Sequence, residues 1–252
     1  MQITILHKSF QVVPYSRVRC KKTAASKIHA SLSKMPAVQH DVDTPFKKAT
    51  FGMGCFWACD ALFGAQKGVL RTAVGYSGGT LIDPEYRKLG DHTEVIEIDY
   101  DPKTISFDDL LLLFWNNHEY GLTTCVKKQY MSLILYHDED QKRMAEISLK
   151  KEAHKRNENL TTTILPAGKF YPAEDYHQKY RLQQHPSLVK ELGITPENLK
   201  TSHLAARLNG YLAGVGKLED LEKDCIELGL PEKTSTYVKA QWKQNEGGTL
   251  YC

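Results

Sequence analysis

The chain has 252 residues, of which 41% are hydrophobic and 25% are charged, and this composition is typical of a globular protein rather than a low-complexity or wholly disordered one. No apolar run approaches the roughly 20 residues that a membrane-spanning helix needs, which excludes a transmembrane protein. The net charge of +3 is uneven, because residues 1–40 hold seven Lys and Arg and no acid, whereas the rest holds 26 basic and 30 acidic residues, a balance that disfavours nucleic-acid binding.

The first 40 residues form a basic segment that contains serines and a short apolar pattern broken by Pro14. An acid-free N-terminus with Arg and Ser is typical of a mitochondrial transit peptide. A disordered tail, or an extension upstream of a second start at Met35, also accounts for this composition. We expect an intracellular, cytoplasmic protein, with mitochondrial targeting by residues 1–40 as the alternative.

From Lys48 onward, the hydrophobic pattern predicts regular secondary structure. One helix begins near Cys55, and a second follows Ser106, which pairs with Asp109 as an acidic variant of the capping box. Four strands are predicted, over residues 50–53, 69–76, 93–100 and 130–136. The resulting order, βαββαβ, indicates an α+β fold whose core is a ferredoxin-like two-layer sandwich.

The rest of the chain is predicted to be mainly helical. A polar helix over 139–155 and a strand over 161–165 precede a helix from about Ala173. Three regions are therefore expected: a basic leader at 1–45, a central domain at 46–185 and a helical extension at 186–252. The extension ends in a tail that its paired glycines should make flexible.

The most informative stretch is Gly52-Met53-Gly54-Cys55-Phe56-Trp57. A cysteine where a strand turns into a helix lies among backbone N–H groups at the positive end of the helix dipole, and both favour the thiolate. The flanking glycines let another molecule approach, and Phe56 and Trp57 supply aromatic walls beside the sulfur. A buried structural thiol is the alternative for any single cysteine, but this combination favours a nucleophile.

The strand over residues 93–100 carries the second clue. Its period of two places Glu94 on the same face as Ile96, Ile98 and Tyr100. A carboxyl group at the end of an apolar face has a raised pKa because burial penalises its charged form, so it can serve as a general acid. A strand-end carboxylate that reaches water is the alternative reading of Glu94 alone.

Several motifs, taken in order along the chain, resemble those of methionine sulfoxide reductase A (MsrA). The C-terminal part, with Asn209-Gly210-Tyr211-Leu212-Ala213-Gly214-Val215-Gly216 and Leu250-Tyr251-Cys252, resembles insect-type members. The first motif is the Gly-Cys-Phe-Trp nucleophile motif at Cys55. The others are Val74-Gly75-Tyr76-Ser77-Gly78-Gly79, Pro84-Glu85-Tyr86, His92-Thr93-Glu94-Val95, Phe114-Trp115-Asn116-Asn117-His118, Gln129-Tyr130 and Tyr171-Pro172-Ala173-Glu174-Asp175-Tyr176-His177-Gln178. The resemblance covers roughly residues 48–182 and implies that residues 46–185 are an MsrA-like catalytic domain.

The resemblance implies that Cys55 attacks the sulfur of methionine sulfoxide while Glu94 donates a proton to the departing oxygen. Tyr86 and Tyr130 match the family tyrosines that hydrogen-bond that oxygen. The two aromatic residues after the cysteine, Phe56 and Trp57, match the pocket that holds the ε-methyl group. Methionine then leaves, and Cys55 is left as a sulfenic acid.

The resemblance also implies the partners. A second thiol condenses with the sulfenic acid, and thioredoxin reduces the resulting disulfide. The family acts on the S epimer at sulfur, in free methionine sulfoxide and in oxidised proteins, as an oxidative-damage repair enzyme. No metal or organic cofactor is implied, no nucleic-acid or membrane partner is expected, and we expect a monomer.

Cysteines are sparse in this chain, which is typical of an intracellular protein rather than of a secreted disulfide framework. We expect the resolving thiol to be one of them. Cys252 is our choice, because it lies last on a glycine-containing tail that can swing to Cys55 at low entropic cost. Cys225 lies on the apolar face of its helix, which favours a structural role. Cys59 lies one turn after Cys55, where a rigid helix presents poor disulfide geometry.

Three residues depart from the family pattern. Cys125 falls where the family usually has an aspartate, counted back from Gln129. If this count holds, one polar support for substrate binding is missing, and Cys125 is a further candidate for the resolving thiol. The count stays open because the preceding loop is shorter than in most members. Ala58 replaces the usual Gly, and Asp60 replaces the usual Glu. These departures motivate an alternative, a weakly active paralogue that binds oxidised methionine.

A thiol redox sensor is the other alternative, and it would not need Glu94, Tyr86 and Tyr130. A zinc site is disfavoured because Cys55 and Cys59 have no matching second pair. Asp175 and His177 look like a ligand pair, but we expect them to serve packing and hydrogen bonding.

Overall fold

The computed structural model describes residues 38–118 and 121–250, and these form a mixed α+β fold around a six-stranded sheet. The strands are β1 (Lys47–Met53), β2 (Val69–Ser77), β3 (Thr93–Tyr100), β4 (Ser132–Tyr136), β5 (Thr163–Pro166) and β6 (Tyr171–Pro172). Their order across the sheet is β5-β4-β1-β3-β2-β6. Neighbouring strands are antiparallel, except for β4 and β5, which are parallel.

Helices accompany the sheet along the described chain. The α-helices are α1 (Phe56–Gly64), α2 (Phe107–Asn116), α3 (Glu139–Arg156), α4 (Tyr180–Gln183), α5 (Pro186–Glu191), α6 (Asn198–Thr201), α7 (His203–Leu212), α8 (Leu218–Glu227) and α9 (Glu232–Asn245). Two short 3₁₀ helices cover Lys128–Tyr130 and Asp175–His177. No helix within the described residues combines the length and the apolar character needed to cross a membrane.

The main hydrophobic core lies between one face of the sheet and helices α1, α2 and α3. Phe51 of β1 joins these layers, since the centre of its ring lies 5.7 Å from that of Phe63 in α1 and 5.2 Å from that of Phe114 in α2. Ile96 and Ile98 of β3 are fully buried in the same core. Because side chains alternate along a strand, this burial fixes which residues of β3 face the core.

Several predictions from the sequence are confirmed. The element order β1-α1-β2-β3-α2-β4 is the predicted βαββαβ order, and β3 covers the predicted residues 93–100. The capping box at the start of α2 is reciprocal: the Asp109 N–H donates to Ser106 Oγ over 3.1 Å, and the Ser106 N–H donates to Asp109 Oδ2 over 2.9 Å.

Two predicted elements differ from the structure. Tyr130 ends a 3₁₀ helix instead of beginning β4, which starts at Ser132. The helix predicted from Ala173 is wrong, because Gln178 is held in an extended conformation at the edge of β2. Its side chain accepts from the Val74 N–H over 3.0 Å and donates to the Val74 carbonyl over 2.8 Å. Lys179 then has a φ of +49°, so regular helix begins only at α4.

The helical extension packs on α1 through α7. A Cβ atom added to Gly210 would lie 2.6 Å from the Ala61 carbonyl oxygen, and one added to Gly64 would collide with the Ala206 carbonyl. The backbones of the two helices therefore approach so closely that only glycine fits at these positions. The orientation of α1 thus depends on a helix that lies outside the predicted central domain.

The described residues belong to one compact unit, residues 36–252. Residues at the end of the predicted leader bond to the extension: the Gln39 N–H donates to the Leu228 carbonyl over 3.1 Å, and Ser202 Oγ donates to the His40 carbonyl over 3.0 Å. Residues 1–37, which include Cys20, lie outside the described residues, so the boundary at residue 45 and the targeting role stay predictions.

Candidate active site

Cys55 lies where β1 passes into α1. The chain leaves β1 at Met53, turns through Gly54 at a φ of +98°, and reaches Cys55 in an extended conformation at the N-cap of the helix. That φ value favours glycine, because a side chain would be strained there. The first turn of α1 carries no acidic side chain, so its N–H groups and dipole favour a negatively charged sulfur at the half-buried Cys55.

Glu94 lies beside this helix start. Its side chain is only 2% exposed, and its Oε2 accepts a 3.2 Å hydrogen bond from the N–H of Phe56, the residue after Cys55. Its Oε1 accepts from Gln129 Nε2 over 2.7 Å. Burial raises the pKa of Glu94 to about 7, while these two hydrogen bonds act in the opposite direction. The carboxyl group is therefore able to both hold and release a proton near neutral pH.

Aromatic side chains form walls around Cys55. Phe56 is buried and packs with Val74, Tyr76 and Ala173. Trp57 is half-buried, and its ring stacks face to face on Tyr180, with 3.8 Å between the ring centres and 5° between the planes. This stack fixes the orientation of the Trp57 indole in the first turn of α1.

His177 completes the wall, and the sequence did not single it out as a site residue. Its Nδ1 accepts a 3.1 Å hydrogen bond from the Trp57 indole N–H, which places the proton of the neutral ring on Nε2. Burial lowers the pKa of His177, so the ring is neutral near pH 7. Its Nε2 is buried, and the described residues offer it no hydrogen-bond partner. A buried N–H donor is thus available to a bound molecule.

Tyr86 is placed by Glu174. The Glu174 carboxylate accepts from the Tyr86 N–H over 3.0 Å and from the Tyr76 hydroxyl over 2.7 Å, which joins the Tyr86 loop to β2. The Tyr86 ring centre lies 4.5 Å from that of His177. The packing and hydrogen bonding predicted for His177 are therefore confirmed, and its link to Tyr86 is new information from the structure.

Tyr130 follows Gln129, the residue that hydrogen-bonds Glu94, in the 3₁₀ helix Lys128–Tyr130. Hydrogen bonds and ring contacts thus connect Phe56, the residue after Cys55, to Glu94, and Trp57 through His177 to Tyr86. The structure adds Gln129, which the sequence showed only as a member of a motif, and His177, for which the sequence predicted only packing and hydrogen bonding. Cys252, the predicted resolving cysteine, lies outside the described residues. Across the described residues, no three His, Cys, Asp or Glu side chains are placed to hold a metal ion.

The other described thiols lie in different surroundings. Cys59 is 4% exposed, and its Sγ donates to the Cys55 carbonyl over 3.3 Å. Burial raises the pKa of Cys59 well above its ordinary value, and the nearby negative charges of Cys55 and Glu94 raise it further. Cys225 is buried among the helices of the extension, and Cys125 is exposed. Both Cys59 and Cys225 are thus enclosed by packing.

A buried ion pair fixes α1 to the segment that carries His177. Lys179 Nζ lies 3.1 Å from Asp60 Oδ1, and both side chains are fully buried. Asp60 also accepts from the Lys179 N–H over 2.9 Å and from Thr72 Oγ1 over 2.6 Å. Burial lowers the pKa of Lys179, and the Asp60 carboxylate acts in the opposite direction.

Known proteins resemble the chain along most of its length. A family model described as peptide methionine sulfoxide reductase matches residues 47–207. A peptide methionine sulfoxide reductase of Drosophila melanogaster is 56% identical over 214 residues, which is 84% of this chain and 87% of that protein. Peptide methionine sulfoxide reductase A5 of Arabidopsis thaliana is 41% identical over 198 residues, covering 76% of this chain and 77% of that protein.

The fold is also that of a solved structure. The reduced form of Mxr1 from Saccharomyces cerevisiae aligns with a TM-score of 0.51 at 23% identity, covering 60% of this chain and 93% of that chain. At this identity, the alignment shows a shared fold alone.

Proposed function

The chain belongs to the peptide methionine sulfoxide reductase family and reduces methionine sulfoxide, and on this premise we propose that Cys55 and Glu94 carry the reaction. The observation that carries the assignment is the Phe56 N–H, which donates to Glu94 from the residue directly after Cys55. A single hydrogen bond from a backbone N–H thus connects the start of the helix that carries Cys55 to an acid whose pKa is about 7.

The reducing step uses both groups. The Cys55 thiolate attacks the sulfur of methionine sulfoxide, and Glu94 donates a proton to the oxygen. The S–O bond of the substrate breaks as the hydroxyl passes to Cys55, so methionine leaves and Cys55 becomes a sulfenic acid. An acid with a pKa near the working pH is suited to this proton transfer.

The aromatic pocket orients the substrate. Phe56 and Trp57 hold the ε-methyl group of the sulfoxide, while the hydroxyls of Tyr86 and Tyr130 hydrogen-bond its oxygen. The contact between the Tyr86 and His177 rings supports this arrangement, because it places Tyr86 beside the Trp57 wall. A pocket with methyl and oxygen subsites on different sides discriminates between sulfur epimers, and we assign it to the S epimer in free and protein-bound methionine sulfoxide.

Recycling uses a second thiol, which we assign to Cys252. Its thiol attacks the sulfur of the Cys55 sulfenic acid, an S–S bond forms as the S–O bond breaks, and the hydroxyl leaves as water with the proton of the thiol. Thioredoxin then supplies two electrons through its dithiol and regenerates both cysteines. Two observations support the choice of the tail cysteine. Cys225 is enclosed among the helices of the extension, and Cys59 is held on the same rigid helix as Cys55, where disulfide geometry is poor.

The fold type and the domain boundaries are part of the same proposal. The order β4-β1-β3-β2 and the crossovers through α1 and α2 support a ferredoxin-like unit within the six-stranded sheet. Residues 46–185 form the catalytic domain and 186–252 the extension, with residues 1–45 as the leader. We expect a cytoplasmic monomer that acts in oxidative-damage repair, or a mitochondrial one if the leader is a transit peptide.

The test compares both sulfur epimers as substrates with thioredoxin or dithiothreitol as reductant. Cys55→Ser should abolish reduction under either reductant, because Cys59, the other described thiol of α1, is buried and its raised pKa keeps it protonated. Cys225→Ser is the matched control and should reduce the S epimer at the wild-type rate. A wild-type protein without S-epimer activity would favour the weakly active paralogue or the sensor instead.

A further inference from the structure

The C-terminal tail begins at the end of α1 that is far from Cys55. Asn245, the last residue of α9, donates from Nδ2 to the Leu212 carbonyl over 2.7 Å, and its backbone packs against Gly214. The next glycine, Gly216, lies against Ala65, the C-cap residue of α1: a Cβ atom added to Gly216 would be 3.2 Å from the Ala65 Cβ. The tail therefore starts beside the C-terminal end of α1.

The last described residue of the tail lies toward the other end of α1. The Leu250 carbonyl accepts a 3.1 Å hydrogen bond from Arg181 Nη2, and the Leu250 side chain packs on the main core. Arg181 directly follows Tyr180, which stacks on Trp57 in the first turn of α1. A nine-residue helix is about 14 Å long, and the five steps from Asn245 to Leu250 span at most about 17 Å. The tail is thus long enough to run back along α1 toward Cys55.

Arg181 is a firm anchor on a rigid element. The neighbouring Leu182 N–H donates to Asn209 Oδ1 over 3.1 Å, which ties α4 to α7. A second donor of the same guanidinium, Arg181 Nε, is buried and has no hydrogen-bond partner among the described residues. Between α9 and the contact of Leu250 with Arg181, the chain turns at Gly247, whose φ of +72° favours glycine.

We propose that Arg181 is a positioning residue for recycling, which anchors the tail by the Leu250 carbonyl so that the Cys252 thiol is presented to Cys55. This inference rests on the proposed role of Cys252. Without the anchor, the thiol would move on the seven residues from 246 to 252. With it, only two residues follow the anchored Leu250, and two residues span at most about 7 Å. Shortening the segment between the anchor and the thiol raises the effective concentration of the second thiol at the first.

The step that Arg181 promotes is the condensation of Cys252 with the Cys55 sulfenic acid, in which water is lost. The sulfoxide-reducing step comes earlier and does not involve the tail. Arg181 should therefore affect disulfide formation and thioredoxin-driven turnover, and it should leave the first methionine formed per chain unaffected. A residue that only stabilised the fold would affect both steps together.

The experiment uses the full chain, reduced and then mixed with S-epimer methionine sulfoxide in the absence of reductant. Methionine formation, loss of thiols and trapping of sulfenic acid by a dimedone-type nucleophile are followed over time. Arg181→Ala should form one methionine per chain at the wild-type rate, while its disulfide forms about tenfold more slowly, a factor that corresponds to roughly 1.4 kcal/mol. Arg181→Lys should lie between the two, because it keeps one charged donor.

Two further variants keep the test decisive. Leu250→Ala leaves the guanidinium in place and loosens the tail, so it should slow the disulfide step in the same direction. Arg143→Ala, which loses an exposed arginine that pairs with Asp140 on α3, is the matched control and should behave as wild type.

The outcomes distinguish the anchoring role of Arg181 from the resolving role of Cys252, on which it rests. If Cys252→Ser stops thioredoxin-driven turnover but Arg181→Ala and Leu250→Ala form the disulfide at the wild-type rate, the anchor is wrong and the resolving role of Cys252 stands. If Cys252→Ser still recycles at the wild-type rate, the resolving role is wrong and the anchor falls with it.

Discussion

Two buried carboxyl groups contact α1, and their surroundings differ in charge. Glu94 is 2% exposed and accepts hydrogen bonds from two neutral donors, the Phe56 N–H and the Gln129 amide. Asp60 is fully buried and faces the ammonium of Lys179 at 3.1 Å. The first group has its charge opposed by burial, whereas the second has its charge matched by a cation.

This difference in charge gives Glu94 a role in the reaction and Asp60 a role in holding the structure. A carboxyl group without a cation holds its proton until about pH 7, so Glu94 can give that proton to a substrate. Asp60, in contrast, faces the buried ammonium of Lys179 and fixes the segment after His177 to α1 through the Lys179 N–H and Nζ. Equal burial therefore does not imply an equal role, because the neighbouring charges decide it.

The largest expected effect comes from removing the acid. Glu94→Gln should lower kcat/KM for S-epimer methionine sulfoxide by about 10²-fold or more, because the amide cannot donate the proton that the oxygen needs. Glu97→Gln, on the opposite face of β3 where Glu97 pairs with Lys48, is the control and should stay near the wild-type value. A Glu94→Gln rate within tenfold of wild type would contradict the acid role.

The same variant also reports on stability. Burial raises the pKa of Glu94 from 4.5 to about 7, so between these values the folded protein binds more protons than the unfolded chain. The stability that this group contributes is therefore fully present below pH 4.5 and is lost as pH rises through 7. Urea unfolding across this range should show a shallower loss of stability in Glu94→Gln than in wild type.

An effect of similar size in free energy is expected at Asp60, but it should appear in the free energy of unfolding and not in the reaction rate. Asp60→Ala leaves the Lys179 ammonium buried without its partner, which should lower the free energy of unfolding by about 3–5 kcal/mol. The double variant Asp60→Leu/Lys179→Met removes both charges and should regain most of that loss in urea unfolding. Glu227→Ala, which breaks an exposed pair with Lys223, should cost at most about 0.5 kcal/mol. A single variant as mild as this control would show that the pair is solvated.

The sequence alone predicted the Glu94 region well, because local patterns determine it. Alternation along β3 placed Glu94 on the buried face, and the glycines around Cys55 predicted the turn from strand to helix. The capping box at the start of α2 likewise joins two residues, Ser106 and Asp109, that are only three positions apart. In each case, the controlling interactions lie within one element or its immediate neighbour.

The Asp60 region could not be predicted, because its contacts join distant parts of the chain. Asp60 and Lys179 are 119 residues apart, and neither lies in a pattern that indicates a partner. The same distance effect made the helix predicted from Ala173 wrong, since Gln178 bonds to Val74 across 104 residues and overrides the local preference. The His177 contact with Trp57 was hidden for the same reason.

The smallest expected effect concerns Gln129, which tunes the acid without supplying a proton. Its amide hydrogen-bonds the charged form of Glu94 and so lowers the pKa that burial raises. Gln129→Met keeps the volume and removes that bond, so the pKa of Glu94 should rise by about one unit.

Because the reaction needs the protonated acid, kcat/KM falls as pH rises through the pKa of Glu94, and Gln129→Met should move this alkaline limb upward by the same amount. Gln66→Met loses a hydrogen bond to Leu62 at the far end of α1 and should leave the limb in place. A downward shift in Gln129→Met would mean that its carbonyl accepts the Glu94 proton, so that Gln129 supports the neutral acid and not the carboxylate. The direction of this pKa shift therefore shows whether Gln129 stabilises the charged or the neutral form of Glu94. It also shows whether burial alone keeps Glu94 protonated near neutral pH, where Asp60 has a cation beside it.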